Sequence, residues 1–264
     1  MSDAVLTERA DGVLTVRINR PHAFNALDTE VLAGLQTAVS QAADDDTVRA
    51  VVVTGTGDKA FSAGADLKEL SGIGPDAAHR AMEHGQHVLR SIEQTRVPVI
   101  AAVNGIALGG GFELVLAATF PVLSTTASLG LPESGLGLIP GYGGTQRLPR
   151  AVGARVATYL MLTGSRLDAR RAYDLGLTPV PPVEPETLLK TATGIAARIA
   201  GQGPRAVRGI VRAVAAGQDA PLDTGLGVET ALAALALAGE ESTEGVNAFL
   251  ERRPAAFTSP RGPH

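Results

Sequence analysis

The 264-residue chain contains no cysteine and no tryptophan. Without thiols it can form no disulfide, no thiolate nucleophile and no cysteine metal site. Aromatic residues make up only 3% of it, which leaves little surface for stacking bases or sugars. A core must therefore come from Ala, Val, Leu and Ile, whose small size lets backbones approach closely. A net charge of −4 offers no basic footprint for nucleic acid. No run approaches the ~20 apolar residues that span a bilayer. Met1-Ser2-Asp3-Ala4 lacks the basic stretch and apolar run of a secretory signal. These absences set the expectation of a cytoplasmic protein that binds neither nucleic acid nor membrane.

What is present is order. Hydrophobic residues at 45% against 19% charged support a packed core and argue against disorder. Val5 to Ile18, broken at Asp11-Gly12, reads as a β-hairpin. Asp28 is placed to cap a helix through Val31, Leu32, Leu35 and Val39, with Glu30 in its first turn. Arg49 to Val53 and Val97 to Val103 are continuous apolar runs of the kind found in buried parallel strands. Between them, Pro75 to Thr95 reads as a helix directing Ala78, Ala81, Met82, Val88 and Ile92 toward the core. Alternating strands and helices imply βαβ units and a mostly parallel sheet. From Glu184 onward helical periodicity takes over, through Leu188, Ile195, Ile199, Val207, Ile210, Val211, Val214, Leu232 and Leu235. The boundary falls near Gly201 to Pro204, dividing the chain into 1–201 and 202–264.

Two glutamates stand out. Glu113 follows Gly109-Gly110-Gly111-Phe112, and Glu133 ends Gly130-Leu131-Pro132-Glu133, a few residues before Pro140-Gly141-Tyr142-Gly143-Gly144. Three consecutive glycines are costly in a regular element and mark a close approach of backbone. Leu114 to Ala118 continue as a buried helix, so the glycines lie at a helix start, where N–H groups are unpaired. Tight helix packing explains such a triplet equally well. A second small-residue turn, Phe61-Ser62-Ala63-Gly64-Ala65-Asp66-Leu67, also bares N–H groups at a strand-to-helix turn, with Asp66 able to bond its own backbone. A carboxylate pair near bare N–H groups suits proton transfer beside a developing oxyanion. Competing motifs fail. Gly55-Thr56-Gly57-Asp58-Lys59 is not a P-loop, Ser62 is not in a nucleophile elbow, and His79, Glu83 and His87 suit an exposed helix face better than a metal.

Six segments, in order, resemble the crotonase (enoyl-CoA hydratase/isomerase) superfamily. They are Asn19-Arg20-Pro21 with Asn25-Ala26-Leu27; Phe61 to Leu67; Ala102-Val103-Asn104-Gly105 through Gly111; Leu131-Pro132-Glu133; Pro140 to Leu148; and Glu244-Gly245 with Phe249 to Pro254. The resemblance covers essentially the whole chain. It implies an α/β fold with a crotonase-like ββα spiral core over 1–201. The helical region 202–264 would serve oligomerisation and pocket closure, in a homotrimer or a dimer of trimers. It implies an acyl-CoA substrate, with coenzyme A a part of that substrate and no separate cofactor or metal. Ala63, Ala65, Asp66 and Leu67 would lie along CoA, and the N–H groups of Ala65 and Gly110 would form an oxyanion hole. Glu113 and Glu133, twenty residues apart, fall at both glutamate positions of the hydratases. Glu113 would act as base on water attacking Cβ, and Glu133 would protonate Cα. The expected reaction is reversible syn hydration of a 2-enoyl-CoA to 3-hydroxyacyl-CoA. The alternatives are enoyl-CoA isomerisation or other crotonase-type acyl-CoA chemistry, and a non-catalytic acyl-CoA-binding protein. Arg252-Arg253 stands where a lysine is common, and either residue type can meet CoA phosphates. Phe120-Pro121 departs from the family pattern, and its proline predicts an edge or bulged strand. Nothing in the segment from Leu70 to Val88 sets an acyl chain length.

Overall fold

Asp11 and Gly12 both adopt positive φ (50° and 75°), as a two-residue turn of right-handed twist requires. They join β1 (Val5–Ala10) to β2 (Val13–Ile18) in an antiparallel hairpin. The computed structural model describes residues 4–257. The far end of the expected 202–264 region lies outside them. Asp28 caps α1 (Thr29–Asp44), accepting from the Val31 N–H at 2.8 Å. The remaining strands β3 (Ala50–Gly55), β4 (Ala60–Ser62), β5 (Val99–Val103), β6 (Ile106–Leu108), β7 (Phe120–Leu123), β8 (Ser128–Gly130) and β9 (Leu167–Asp168) divide between two sheets. The first has the order β1-β2-β3-β5-β7 and the second β4-β6-β8-β9.

The chain alternates between the sheets as it advances. β3 joins the first sheet and β4 the second, and then come α2 (Leu67–Leu70) and α3 (Pro75–Glu93). β5, β6 and α4 (Gly110–Ala117) repeat the step, and β7 and β8 begin a third turn. Each turn adds one parallel strand to each sheet, which is a ββα spiral. Asn104 pins the corner between sheets: its Oδ1 accepts from the Gly55 N–H and its Nδ2 donates to the Gly57 carbonyl.

Both faces of the first sheet are covered, which explains its unbroken apolar strands. Val51 and Val53 of β3 join one cluster with Val31, Leu35, Val88 and Ile92 from α1 and α3. Ala50 and Val52 join a second with Leu188, Ala192 and Ala196 of α8 (Pro185–Ala200). Burying such side chains contributes roughly 1.5–3 kcal/mol each. Along α3, Ala78, Ala81 and Met82 are only half-buried, while Gly85, Val88, Leu89 and Ile92 are buried. The first half of that helix thus lies at the margin of the core, against which Met82 packs. β7 is the edge strand. The Pro121 carbonyl accepts from the Thr178 hydroxyl on the open side (2.8 Å), so its nitrogen faces away from β5 and no ladder bond is lost.

Helices α5 (Gly144–Val152) and α6 (Ala154–Thr163) follow β8, and α7 (Ala169–Asp174) follows β9. The chain ends in α9 (Pro204–Gly217), α10 (Leu222–Leu237) and α11 (Glu240–Glu251). Their periodic apolar residues are not core: α10 buries none of its residues, and Ile210, Val214, Leu235 and Phe249 are exposed. No single described helix is long and apolar enough to cross a membrane.

Candidate active site

Gly109 precedes α4 with φ 50° and ψ −127°, a conformation closed to residues bearing a Cβ. It turns the chain from β6 straight into the helix, and Gly111 then packs so tightly on β4 that a Cβ there would land on the Ser62 carbonyl. One turn on, Glu113 enters the interior only 1% exposed. Its Oε1 accepts from the N–H groups of Tyr142 (2.8 Å) and Gly144 (2.7 Å). Burial is the main influence on this carboxyl and raises its pKa to about 7, with the charge of Glu133 adding to the rise. The two N–H bonds and the charge of Arg147 oppose it.

Glu133 opens a short 3-10 turn, Glu133–Leu136. Burial raises its pKa as well. Its Oε2 is buried without a partner, and its Oε1 lies 3.1 Å from where a Cβ on Gly109 would be. The structure therefore brings the two glutamates into one site, electrostatically coupled and beside the glycine turn. Such a pair titrates as a unit and retains a proton at higher pH than free carboxyls do.

The second turn meets the first. Gly64 (φ 103°) lies against it, so that a Cβ there would meet the Leu108 carbonyl at 2.7 Å and the Gly110 nitrogen at 3.3 Å. A Cβ on Gly110 would lie 3.2 Å from the Ala65 nitrogen. The Leu27 N–H bonds the Gly64 carbonyl, and the Asp66 N–H bonds the Leu27 carbonyl. Among the described residues, the Ala65 N–H between them has no backbone partner. Gly110 lies in the first turn of α4, where N–H groups lack intrahelical acceptors. Two adjacent free amides beside a carboxylate pair can hold an oxygen that gains negative charge while protons move nearby. Of the residues expected along CoA, Ala63 and Leu67 are exposed, and Ala65 and Asp66 are partly buried. Asp66 caps α2 through the Lys68 N–H, which together with Arg20 holds its carboxyl below the usual range.

Several supporting residues carried no role in the sequence. Asn25, 1% exposed, accepts from the Arg20 N–H and donates to the carbonyls of Thr56 and Ala60. Arg20 bridges Asp66 (3.0 Å), Asp28 (3.2 Å) and the Ala26 carbonyl (3.0 Å). Arg147 pairs with Glu93 and donates to the Tyr142 carbonyl, fixing the loop whose amides hold Glu113. The signal was the polar residues inside otherwise apolar or glycine-rich motifs. Arg253, whose residue type can meet CoA phosphates, pairs with Glu244 (2.7 Å) and Glu251 (2.6 Å). His79 and Glu83 lie 3.3 Å apart on an exposed face, and no cluster of metal-ligating side chains occurs among the described residues.

Comparison with known proteins agrees with this architecture. Residues 8–260 match the family model described as enoyl-CoA hydratase/isomerase. A crotonyl-CoA hydratase of Syntrophomonas wolfei is 40% identical, over 97% of this chain and 98% of its own. A short-chain-enoyl-CoA hydratase of Clostridium acetobutylicum is 38% identical, over 94% and 95%. The crystal structure of an enoyl-CoA hydratase from Bacillus anthracis superposes with a TM-score of 0.93 at 39% identity, covering 96% of this chain and 98% of that one. Matched over nearly its full length in both sequence and spiral architecture, the chain belongs to the enoyl-CoA hydratase/isomerase family.

Proposed function

We propose that this protein is an enoyl-CoA hydratase that adds water reversibly and syn across the double bond of a 2-enoyl-CoA. The observation that carries the reading is the buried Glu113 carboxylate, fixed by two amides and coupled to Glu133 beside the amides of Ala65 and Gly110. The substrate carbonyl would accept from the Ala65 and Gly110 N–H groups, and Ala63, Ala65, Asp66 and Leu67 would lie along CoA. Glu113 would take a proton from water as its oxygen bonds Cβ, and Glu133 would deliver one to Cα. The charge gathered on the thioester oxygen is met by the two amides; one such donor is typically worth ~10²–10³ in rate. Both carboxyls act on one face of the substrate, which gives the syn outcome.

The hydratase names of relatives near 40% identity support the same chemistry. Exposed apolar side chains on α9 to α11, such as Ile210, Leu235 and Phe249, support a role for 202–264 in assembly. They fit a homotrimer or dimer of trimers, which light scattering would measure. We propose a cytoplasmic setting, which cell fractionation would test.

The test is spectrophotometric. Purified protein should lower the enoyl-thioester absorbance of crotonyl-CoA to its equilibrium value and yield 3-hydroxybutyryl-CoA, and Glu113→Gln should slow this by about 10²–10⁴. Absence of turnover across a panel of 2-enoyl chain lengths overturns the reading. Conversion of 3-enoyl to 2-enoyl thioesters without hydration would select the isomerase, and acyl-CoA binding without any turnover the non-catalytic protein.

A further inference from the structure

Tyr142 contributes its backbone N–H to Glu113, yet its ring has no part in the proton transfers. The ring is nonetheless accommodated at some cost. Gly85 lies in the middle of α3, where glycine is less favourable than alanine. A Cβ at Gly85 would land on the Cδ1, Cε1 and Cζ atoms of Tyr142. The opposite ring edge faces α4, with Cδ2 3.1 Å and Cε2 3.3 Å from where a Cβ on Gly110 would stand. That same point is 3.2 Å from the Ala65 nitrogen. The ring is therefore a wedge between α3 and the start of α4, adjacent to the paired amides. Its loop is clamped from α3, where Gln86 Nε2 donates to the Gly141 carbonyl at 2.9 Å and Met82 packs on Gly141. Burial, with the negative charges of Glu113 and Glu69 adding to it, raises the phenol to about 12.

The functional reading above, on which this inference rests, fixes the direction of the acyl chain. With the carbonyl on the Ala65 and Gly110 amides and Cβ at Glu113, whose carboxylate accepts from the Tyr142 N–H at 2.8 Å, carbons beyond Cβ would pass beside Tyr142. We propose that the Tyr142 ring is the wall that ends the acyl pocket and restricts the substrate to short enoyl thioesters. Gly85 is the notch that keeps this wall out of the reacting positions. A pocket that rejects one extra methylene typically does so by about 10–200-fold.

The experiment is a chain-length profile with crotonyl-, hexenoyl-, octenoyl- and decenoyl-CoA. The unaltered protein should favour crotonyl-CoA, with kcat/KM falling about tenfold or more by octenoyl-CoA. Tyr142→Ala should raise the octenoyl-to-crotonyl ratio by about tenfold or more, and Tyr142→Phe should keep the original ratio. Gly85→Ala should push the ring toward the substrate and depress crotonyl turnover about tenfold. The Gly85→Ala/Tyr142→Ala double variant should regain that turnover and keep the raised octenoyl-to-crotonyl ratio of Tyr142→Ala, a ratio that relief of packing alone would not change. Should Tyr142→Ala fail to fold, Tyr142→Leu keeps most of the buried apolar contact and should show the same shift. A flat profile in the unaltered protein, or an unchanged ratio in the folded variants, overturns the proposal while leaving hydration standing. No hydration at any length removes the functional reading, and this inference with it.

Discussion

The two turns that meet at the candidate site differ in what holds them. The first, from Ser62 to Leu67, depends on one bare position, Gly64, and otherwise on side chains: Asn25 ties its approach, Arg20 grips Asp66, and Asp66 caps α2. The second, from Leu108 to Glu113, is held by their absence, since Gly109 requires φ 50° and Gly111 touches the Ser62 carbonyl. A turn fixed by hydrogen bonds can loosen by degrees, because each bond removed leaves others. A turn fixed by bare backbone has no intermediate state, because any Cβ forces the chains apart. The two are interlocked through Gly64 and Gly110, so the pair of amides is only as well placed as the less tolerant turn.

The largest expected effect lies in that second turn. Gly109→Ala would place a Cβ 3.1 Å from Glu133 Oε1 in a backbone region that costs about 1–3 kcal/mol. Displacing the Gly110 amide should then lower kcat by about 10²–10³. The measurement is kcat with crotonyl-CoA alongside thermal unfolding. A folded variant with full activity would show that the glycine serves packing alone.

A second test concerns the carboxylate that this turn carries inward. Glu113 has its pKa raised from 4.5 to about 7 in the folded protein. Between those values the folded state holds a proton that the unfolded state has released, so stability falls as pH rises through that window and then levels off. The loss is of order a few kcal/mol. Glu113→Gln should abolish this part of the decline and be at least as stable as the parent at pH values above about 7, though inactive. Glu133 is raised too and is present in both proteins, so the difference between their denaturant midpoints across pH reports Glu113 together with its coupling to Glu133. Identical pH slopes would sink the assignment of the raised pKa.

Smaller effects are expected in the turn held by side chains. Asn25 has φ 56°, which asparagine tolerates better than alanine, and it satisfies the Thr56 and Ala60 carbonyls. Asn25→Ala should cost about 2–4 kcal/mol, from unpaired acceptors plus left-handed backbone. Hydration should fall only about tenfold as the Ala65 amide drifts. Urea unfolding and kcat together check this, and a loss as deep as that of Gly109→Ala would erase the contrast between the turns.

How far the sequence revealed these turns depends on the same difference. Gly109-Gly110-Gly111 announced a close approach because glycine has few other uses at a helix start, and the hairpin at Asp11-Gly12, the Asp28 cap and the edge position of Pro121 were legible for similar local reasons. Asn25 and Arg20 were visible only as letters in a motif, since their partners lie up to 46 residues away. The amides that hold Glu113 come from Tyr142 and Gly144, and backbone donors leave no signature in side-chain chemistry. Apolar periodicity in α10 pointed to burial that its own chain does not provide, because periodicity reports a face and not what covers it. Tyr142 and Gly85 are far apart in sequence, and nothing short of their contact shows that one makes room for the other.

The smallest expected effect isolates a single pin. Arg20 reaches Asp66, Asp28 and the Ala26 carbonyl with one planar guanidinium, a set that a lysine ammonium cannot span at once. Both Arg20 and Asp66 are mostly buried at their side chains, 19% and 14% exposed, so this pair is less screened than a surface bridge. Arg20→Lys keeps the charge and removes the fork, and Asn25 still ties the approach to Ala65. The segment from Ala63 to Leu67 should loosen while the glycine turn and both glutamates stay in place. KM for crotonyl-CoA should then rise about three- to tenfold with kcat changed less than about threefold, as expected when binding shared by ground and transition states is lost. A fall in kcat with KM unchanged would instead mean that Arg20 governs the amide at the reacting carbonyl, and the two turns would be one device rather than two.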